Sequence, residues 1–394
     1  MTNTIQHAST SSVSPSHRRP VPALIGSIAI IGANSLSLGP IAPDIADGLA
    51  TVVTRVMWAG GAYGAATAIG ALIIAPWIDR LGARRMLLLA LAALAIAFAV
   101  SAAAVDVTML VAAQALAGLA AGAALPSVYA FAALVAPPGR ESAVVGQVLV
   151  GWTVSMVAGV ALAAVIADLA GWRAVYGILT AGAILACLAI AASPERGAPR
   201  APSSLYGQLA VLANSEVRRL LLVCFAFMTA FYGVYSYLGD HVHRALALPV
   251  SAMGIVALAY GTGFGAAAIA DPLIDRFGWR RLMAPAYAVV AGVYLLLGLL
   301  GQSYAAIVVI AAAWGIANHF GLNLIVSGLS SLDPARRGTI LGLNSAVTYV
   351  AVSVGTLAFG PLYERVGLSG LALVAAGACL LASVITLGLA PKDR

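Results

Sequence analysis

The chain has 394 residues, of which 62% are hydrophobic and only 9% are charged, with a formal net charge of +7. A soluble domain is about 45–50% apolar and about 25% charged, so this composition excludes a water-facing fold and makes lipid the solvent. The fold class left is an all-α integral membrane protein.

Residues 1–21 are Ser/Thr-rich and polar, and are expected to form a disordered cytoplasmic tail. The apolar run after Arg18 and Arg19 is too long for a signal peptide and lacks a small-x-small cleavage site, so it reads as a first span. A helix crosses the bilayer core with about 20 residues. Breaks at charges, prolines and glycines give spans at 22–43, 56–78, 86–104, 108–134, 143–166 and 172–193, an expected N-terminal six-helix bundle over 22–193. Residues 194–217 are rich in Pro, Ser and charge and read as a cytoplasmic linker. Six more spans follow at 219–239, 251–274, 282–300, 304–330, 338–361 and 368–389, an expected C-terminal bundle over 218–390 with a short tail at 391–394.

An N-terminus in the cytoplasm leaves Arg55, Arg173, Arg244 and Arg365 outside and the other 17 of the 21 basic residues inside. The positive-inside rule therefore predicts that both termini are cytoplasmic. Basic charge spread over one membrane face also argues for membrane lipid as a partner and against nucleic acid. Cys187, Cys224 and Cys379 lie in apolar runs without ligand spacing, which suggests neither a disulfide framework nor a metal site.

"APWIDRLGARRM" at 75–86 returns as "DPLIDRFGWRRL" at 271–282, an offset of 196 residues. The same offset relates Asp44 to Asp240, Pro138 to Pro334, Gly146 to Gly342, Gly159 to Gly355 and Gly171 to Gly367, so the halves read as a duplicated unit. Parallel repeats of this kind are a transporter architecture with its site between the halves. Gly82 and Gly278 permit tight turns, and the neighbouring arginines mark the cytoplasmic side.

These features carry a resemblance. The loop "APWIDRLGARR" is similar to the hallmark of the major facilitator superfamily between helices 2 and 3, with Ala75 for the first glycine and Ala83 for one basic residue. The resemblance implies twelve helices in two pseudo-symmetric bundles. It also implies a conformational latch formed by Asp79, Arg80, Gly82, Arg84 and Arg85, with Asp275, Arg276, Gly278 and Arg280 as the second copy. "SLGPIAPDIA", ending at Ala46, places Pro40 and Pro43 at the close of helix 1 and looks like the twelve-span drug:proton antiporters. Two motifs depart from that branch. Gln114 stands four residues before Gly118 where arginine is usual, and "GWTVSMVAGVALAA" keeps Gly151 and Gly159 without a proline.

In this superfamily helices 1, 4, 7 and 10 line the cavity, which nominates Asn34, Gln114, Phe231, Tyr232, Tyr235, Trp314, Asn318, His319 and Asn323, with Asn344 and Tyr349 of helix 11 behind them. All 14 acids fall at span ends, in loops or in tails, so no mid-span carboxylate marks a proton site. The proton candidates are His319, read as the only histidine inside a span, and the repeat mates Asp44 and Asp240. No HExxH, GxSxG or paired intramembrane acids occur, so no enzyme and no cofactor are expected. The resulting expectation is a monomeric secondary transporter of the bacterial inner membrane that exports a small amphiphilic or apolar compound, coupled to protons. A sugar or metabolite exporter, an uncoupled facilitator and a non-transporting sensor are the alternatives.

Overall fold

The computed structural model describes residues 20–137, 139–193, 210–333 and 336–389, except for the side chains of Pro76, Asp79 and Ser142. The tail to residue 19, linker residues 194–209, the C-terminal residues 390–394 and the repeat prolines Pro138 and Pro334 lie outside the described residues.

Among the described residues, twelve apolar helices are long enough to cross a bilayer. They are α1 Val21–Gly48, α2 Val53–Ile74, α3 Ala83–Ala102, α4 Val107–Val135, α5 Ala143–Ala170, α6 Trp172–Ala191, α7 Ser215–Ala245, α8 Ala252–Ala270, α9 Trp279–Leu300, α10 Tyr304–Leu332, α11 337–366 and α12 368–387. The last two run on as one stretch, Arg337–Leu387, broken at Gly367 with φ 61° and ψ −166°.

Local chemistry sets the boundaries. Asp106, Asn214 and Ser303 accept from the backbone N–H groups of Met109 (2.8 Å), Glu216 (2.9 Å) and Ala306 (3.4 Å), capping α4, α7 and α10. Gly82, Gly171 and Gly278 sit at φ 82°, 79° and 81°, where glycine lets one helix stop and the next begin at once.

Two expectations need correction. Pro40 and Pro43 do not end α1, which continues through both to Gly48. A proline inside a helix leaves the carbonyl four residues back without its donor. The Gly39 carbonyl freed by Pro43 is the surface on which Gly239 of α7 packs. α7 likewise runs past residue 239 through the π-turn His241–Ala245, so His241 and His243 also lie in a spanning helix and His319 is not alone.

Helices α1–α6 pack together, as do α7–α12, and the two groups meet through α1 with α7, α2 with α11 and α5 with α8. Residues 20, 193, 210 and 389 lie on one face, here the terminal face; the opposite side is the far face. Toward the far face the halves touch at glycines. A Cβ on Gly64 of α2 would stand 2.8 Å from the Ser353 amide nitrogen of α11, and one on Gly261 of α8 would stand 3.0 Å from the Met156 carbonyl of α5. Polar bridges finish the closure: Arg244 to Asp47 at 2.9 Å, Thr54 Oγ1 to Glu364 at 2.6 Å and Ser251 Oγ to Asp168 at 2.7 Å.

Toward the terminal face the packing between the halves is sparser, with Gly70–Ile74 of α2 still meeting α11. The segment Glu141–Val154 packs on α1 and α4 of its own half, while residues 155–170 carry the packing on α8. The outer belt is apolar, with Ile269 and Leu299 85% and 77% exposed, as side chains facing acyl chains should be.

Candidate functional site

Three neutral side chains tie α1, α3 and α4 together. Asn34 Nδ2 donates to Gln114 Oε1 at 3.0 Å, and Gln114 Nε2 donates to Ser101 Oγ at 3.0 Å. Asn34 and Gln114 border a cavity of about 20 Å³ between the halves, closed on the other side by Tyr232, Tyr235, Ser236 and Thr356. Asn34 Oδ1, Ser35 Oγ and Tyr63 OH are buried close to one another at its wall, none of them in a short hydrogen bond. Buried polar atoms are rarely left so. A space of this size admits about one water, and a cargo enters only as the halves move.

The aromatic residues expected in α7 and α10 do converge. The Phe231 ring centroid lies 4.9 Å from Tyr232, 5.3 Å from Tyr235 and 5.3 Å from Trp314. Tyr260 of α8 stacks on Phe231 at 5.6 Å, and its hydroxyl accepts from Asn318 Nδ2 at 3.0 Å. Asn318 thus belongs to this wall and not to the surroundings of His319. Trp314 is buried there against Tyr294, with ring centroids 5.4 Å apart.

His319 and Asn323 do share a face, and both meet an acid that the sequence did not nominate. His319 Nε2 lies 2.8 Å from Asp271 Oδ1, and Asn323 Nδ2 donates to the same oxygen at 2.8 Å. Asp271 follows the last turn of α8, at the first position of the second motif copy, where the first copy has Ala75. An acid at a span end carries no sign of which helix it faces, which is why neither Asp271 nor Tyr260 stood out.

The two motif turns are built alike. Arg84 donates to the carbonyls of Ile190 (3.3 Å) and Ala191 (2.6 Å) at the end of α6. Arg280 donates to the Leu389 carbonyl at 2.9 Å, past the end of α12, and grips Glu216 of α7 at 3.1 and 2.7 Å. Arginine thereby satisfies helix C-terminal carbonyls in each half. Arg80 lies over the Trp77 ring at 5.0 Å, and Arg276 over Phe277 at 5.2 Å. Asp275 is exposed in the helical turn Pro272–Phe277; the Asp79 side chain lies outside the described residues.

Asp44 and Asp240 stand at the far face, away from the central cavity. Asp44 Oδ2 accepts from the Trp172 backbone N–H at 2.6 Å and so caps α6. Asp240 pairs with Arg244 Nε at 3.0 Å and accepts from Tyr363 OH at 2.9 Å. It borders a separate far-face cavity of about 540 Å³ with His241, Gln302 and Glu364. Among the described residues no three His, Cys, Asp or Glu converge on a metal position.

A family model described as the Major Facilitator Superfamily matches residues 24–356. The chain is 26% identical over 376 residues to the uncharacterized MFS-type transporter YwfA of Bacillus subtilis (strain 168), covering 92% of this chain and 90% of that one. It is 24% identical over 283 residues to the uncharacterized MFS-type transporter YbcL of the same organism, covering 70% and 71%. Among solved structures it is similar to the human organic anion transporter MFSD10 (TETRAN), with a TM-score of 0.71 and 19% identity over 95% of this chain and 100% of that chain, a likeness of fold alone.

Proposed function

Because the chain belongs to the major facilitator superfamily, whose members are transporters and not enzymes, we propose that it exports a small, neutral amphiphile by alternating access, as a proton-driven antiporter of the twelve-span efflux type. The basic residues of the terminal face orient that face to the cytoplasm of a bacterial inner membrane. Tight packing at the far face with sparser packing at the terminal face fits loading from the cytoplasm, the side from which an exporter takes its cargo.

The observation that carries the cargo class is the central cavity. Its described lining is uncharged, with the polar side chains of Asn34, Ser35 and Tyr63 facing an aromatic wall. Such a wall suits a flat or lipophilic molecule with a few hydrogen-bonding groups. The same mixture of amide, hydroxyl and aromatic faces favours a sugar as the second reading. An organic anion, the cargo named for the human fold neighbour, has no cation to meet at this lining.

The test is a compound panel run against a deletion strain, followed by uptake of the identified cargo into inverted vesicles under an imposed pH gradient. Gradient-driven uptake that falls on replacing Asn34 with alanine is expected. Absence of any pH response in the wild type would sink proton coupling, and a charged cargo would sink the class assigned to it.

A further inference from the structure

The geometry points to His319, Asp271 and Asn323 as the proton-binding site of this transporter, set in the C-terminal half and separate from the cargo cavity. This rests on the transporter reading above and names the coupling group within it. Asp271 Oδ1 receives two donors at 2.8 Å, from His319 Nε2 and Asn323 Nδ2. The imidazole is largely enclosed, with its side chain 14% exposed and the Phe264 ring 5.0 Å away, whereas Asp271 is 38% exposed. The second ring nitrogen, Nδ1, is buried without a partner.

A pair serving packing alone would satisfy both ring nitrogens. α8 and α10 do not need it to hold together, since their backbones already meet at Gly263 against Ala312 and at Gly315 against Tyr260. What the group can do is hold one proton. With His319 neutral and Asp271 ionised it carries one negative charge; a proton on the ring makes an imidazolium–carboxylate pair of zero net charge. Net charge is disfavoured in hydrocarbon, so the group passes through an occluded arrangement with the proton and resists doing so without it.

α8 presents Asp271, and α7 and α9 meet α10 through the uncharged rings of Phe231, Tyr287 and Tyr294. Along α8 the next charged groups, Asp275 and Arg276, lie in the exposed turn beyond it; on α10 no further ionisable side chain follows before Asp333, and the 337–387 stretch, which also packs on α10, brings Arg336 and Arg337 at its start. Access comes from the terminal end of α8, where Asp271 is itself 38% exposed. Communication with cargo runs along α10, because the neighbouring Asn318 bonds Tyr260 of the aromatic wall. In the N-terminal half the positions 196 residues earlier are Ala75, Ala123 and Ser127, so the site occurs once.

The test uses the full chain in nanodiscs with ¹⁵N-labelled histidine, read by NMR from about pH 5 to 8. Of the five histidines, the resonance lost in His319→Gln is expected to titrate, its midpoint to move in Asp271→Asn and in Asn323→Leu, and to return in Asp271→Glu. A His319 resonance that does not titrate, or one that titrates identically in Asp271→Asn and Asn323→Leu, overturns the proposal. Vesicle transport separates this from the wider reading. Export in Asp271→Asn with the wild-type pH dependence overturns the site and leaves the transporter standing. A titrating His319 in a protein that shows no gradient-driven export upholds the site and removes the antiport reading.

Discussion

Gln114 accepts from Asn34 and donates to Ser101, so one side chain joins three helices at the wall of the cavity. Hydrogen bonds inside membrane proteins average about 0.6 kcal/mol. Replacing Gln114 with leucine should therefore cost roughly 1 kcal/mol of stability and, on the proposed function, weaken cargo binding. Thermal unfolding in detergent and cargo binding on the same sample would check this, and unchanged affinity would reduce Gln114 to a structural tie. Asp79→Asn belongs to the same scale: it should insert and express normally yet transport poorly, and normal transport would leave the motif a topology signal. Asn34, Gln114, His319 and Asn323 were legible because a polar residue stands out in an apolar run. Their partners Ser101, Tyr260 and Asp271 were not, because spacing along one helix does not say which neighbour it faces.

At the scale of elements, glycine contacts outweigh the polar bridges of the far face. Asp47 and Arg244 are both well exposed, and exposed pairs contribute about 0–1 kcal/mol. Asp47→Asn should hardly alter the balance of conformations. Gly64→Val is different, since the added Cβ would meet backbone atoms of Ser353 and Tyr349 that cannot rotate away. It should push α2 from α11 and raise labelling of far-face cysteines; equal labelling in both variants would mean that packing does not govern closure. Span positions were legible from hydropathy, within a few residues at most ends. The course of α1 through its two prolines was not, because the cost of a proline depends on what meets the freed carbonyl, here the Gly239 surface of another helix. The extension of α7 was hidden for a similar reason: His241, Arg244 and Asp240 look like loop residues until their partners Gly301, Asp47 and Tyr363 are known.

For the whole molecule, orientation is the testable matter. In a background lacking Cys187, Cys224 and Cys379, cysteines placed after Trp77 and after Leu273 should react from the cytoplasm, and those near Arg173 and Arg365 only from outside. One reversed position would overturn the arrangement of spans. The duplicated turns have stayed alike, with Gly82 and Gly278 one degree apart in φ, while the polar interiors have not. The neutral triad Asn34–Gln114–Ser101 corresponds to Ala230, Ile310 and Leu297 in the second half, and the ionisable triad corresponds to Ala75, Ala123 and Ser127 in the first. The two halves thus share their turns and differ in their polar interiors. Replacing both Asp271 and His319 with alanine, the residues of the first half, should keep the cargo cavity and its aromatic wall. Such a chain should behave as a uniporter, letting cargo run down its own gradient and leaving the proton-motive force untouched.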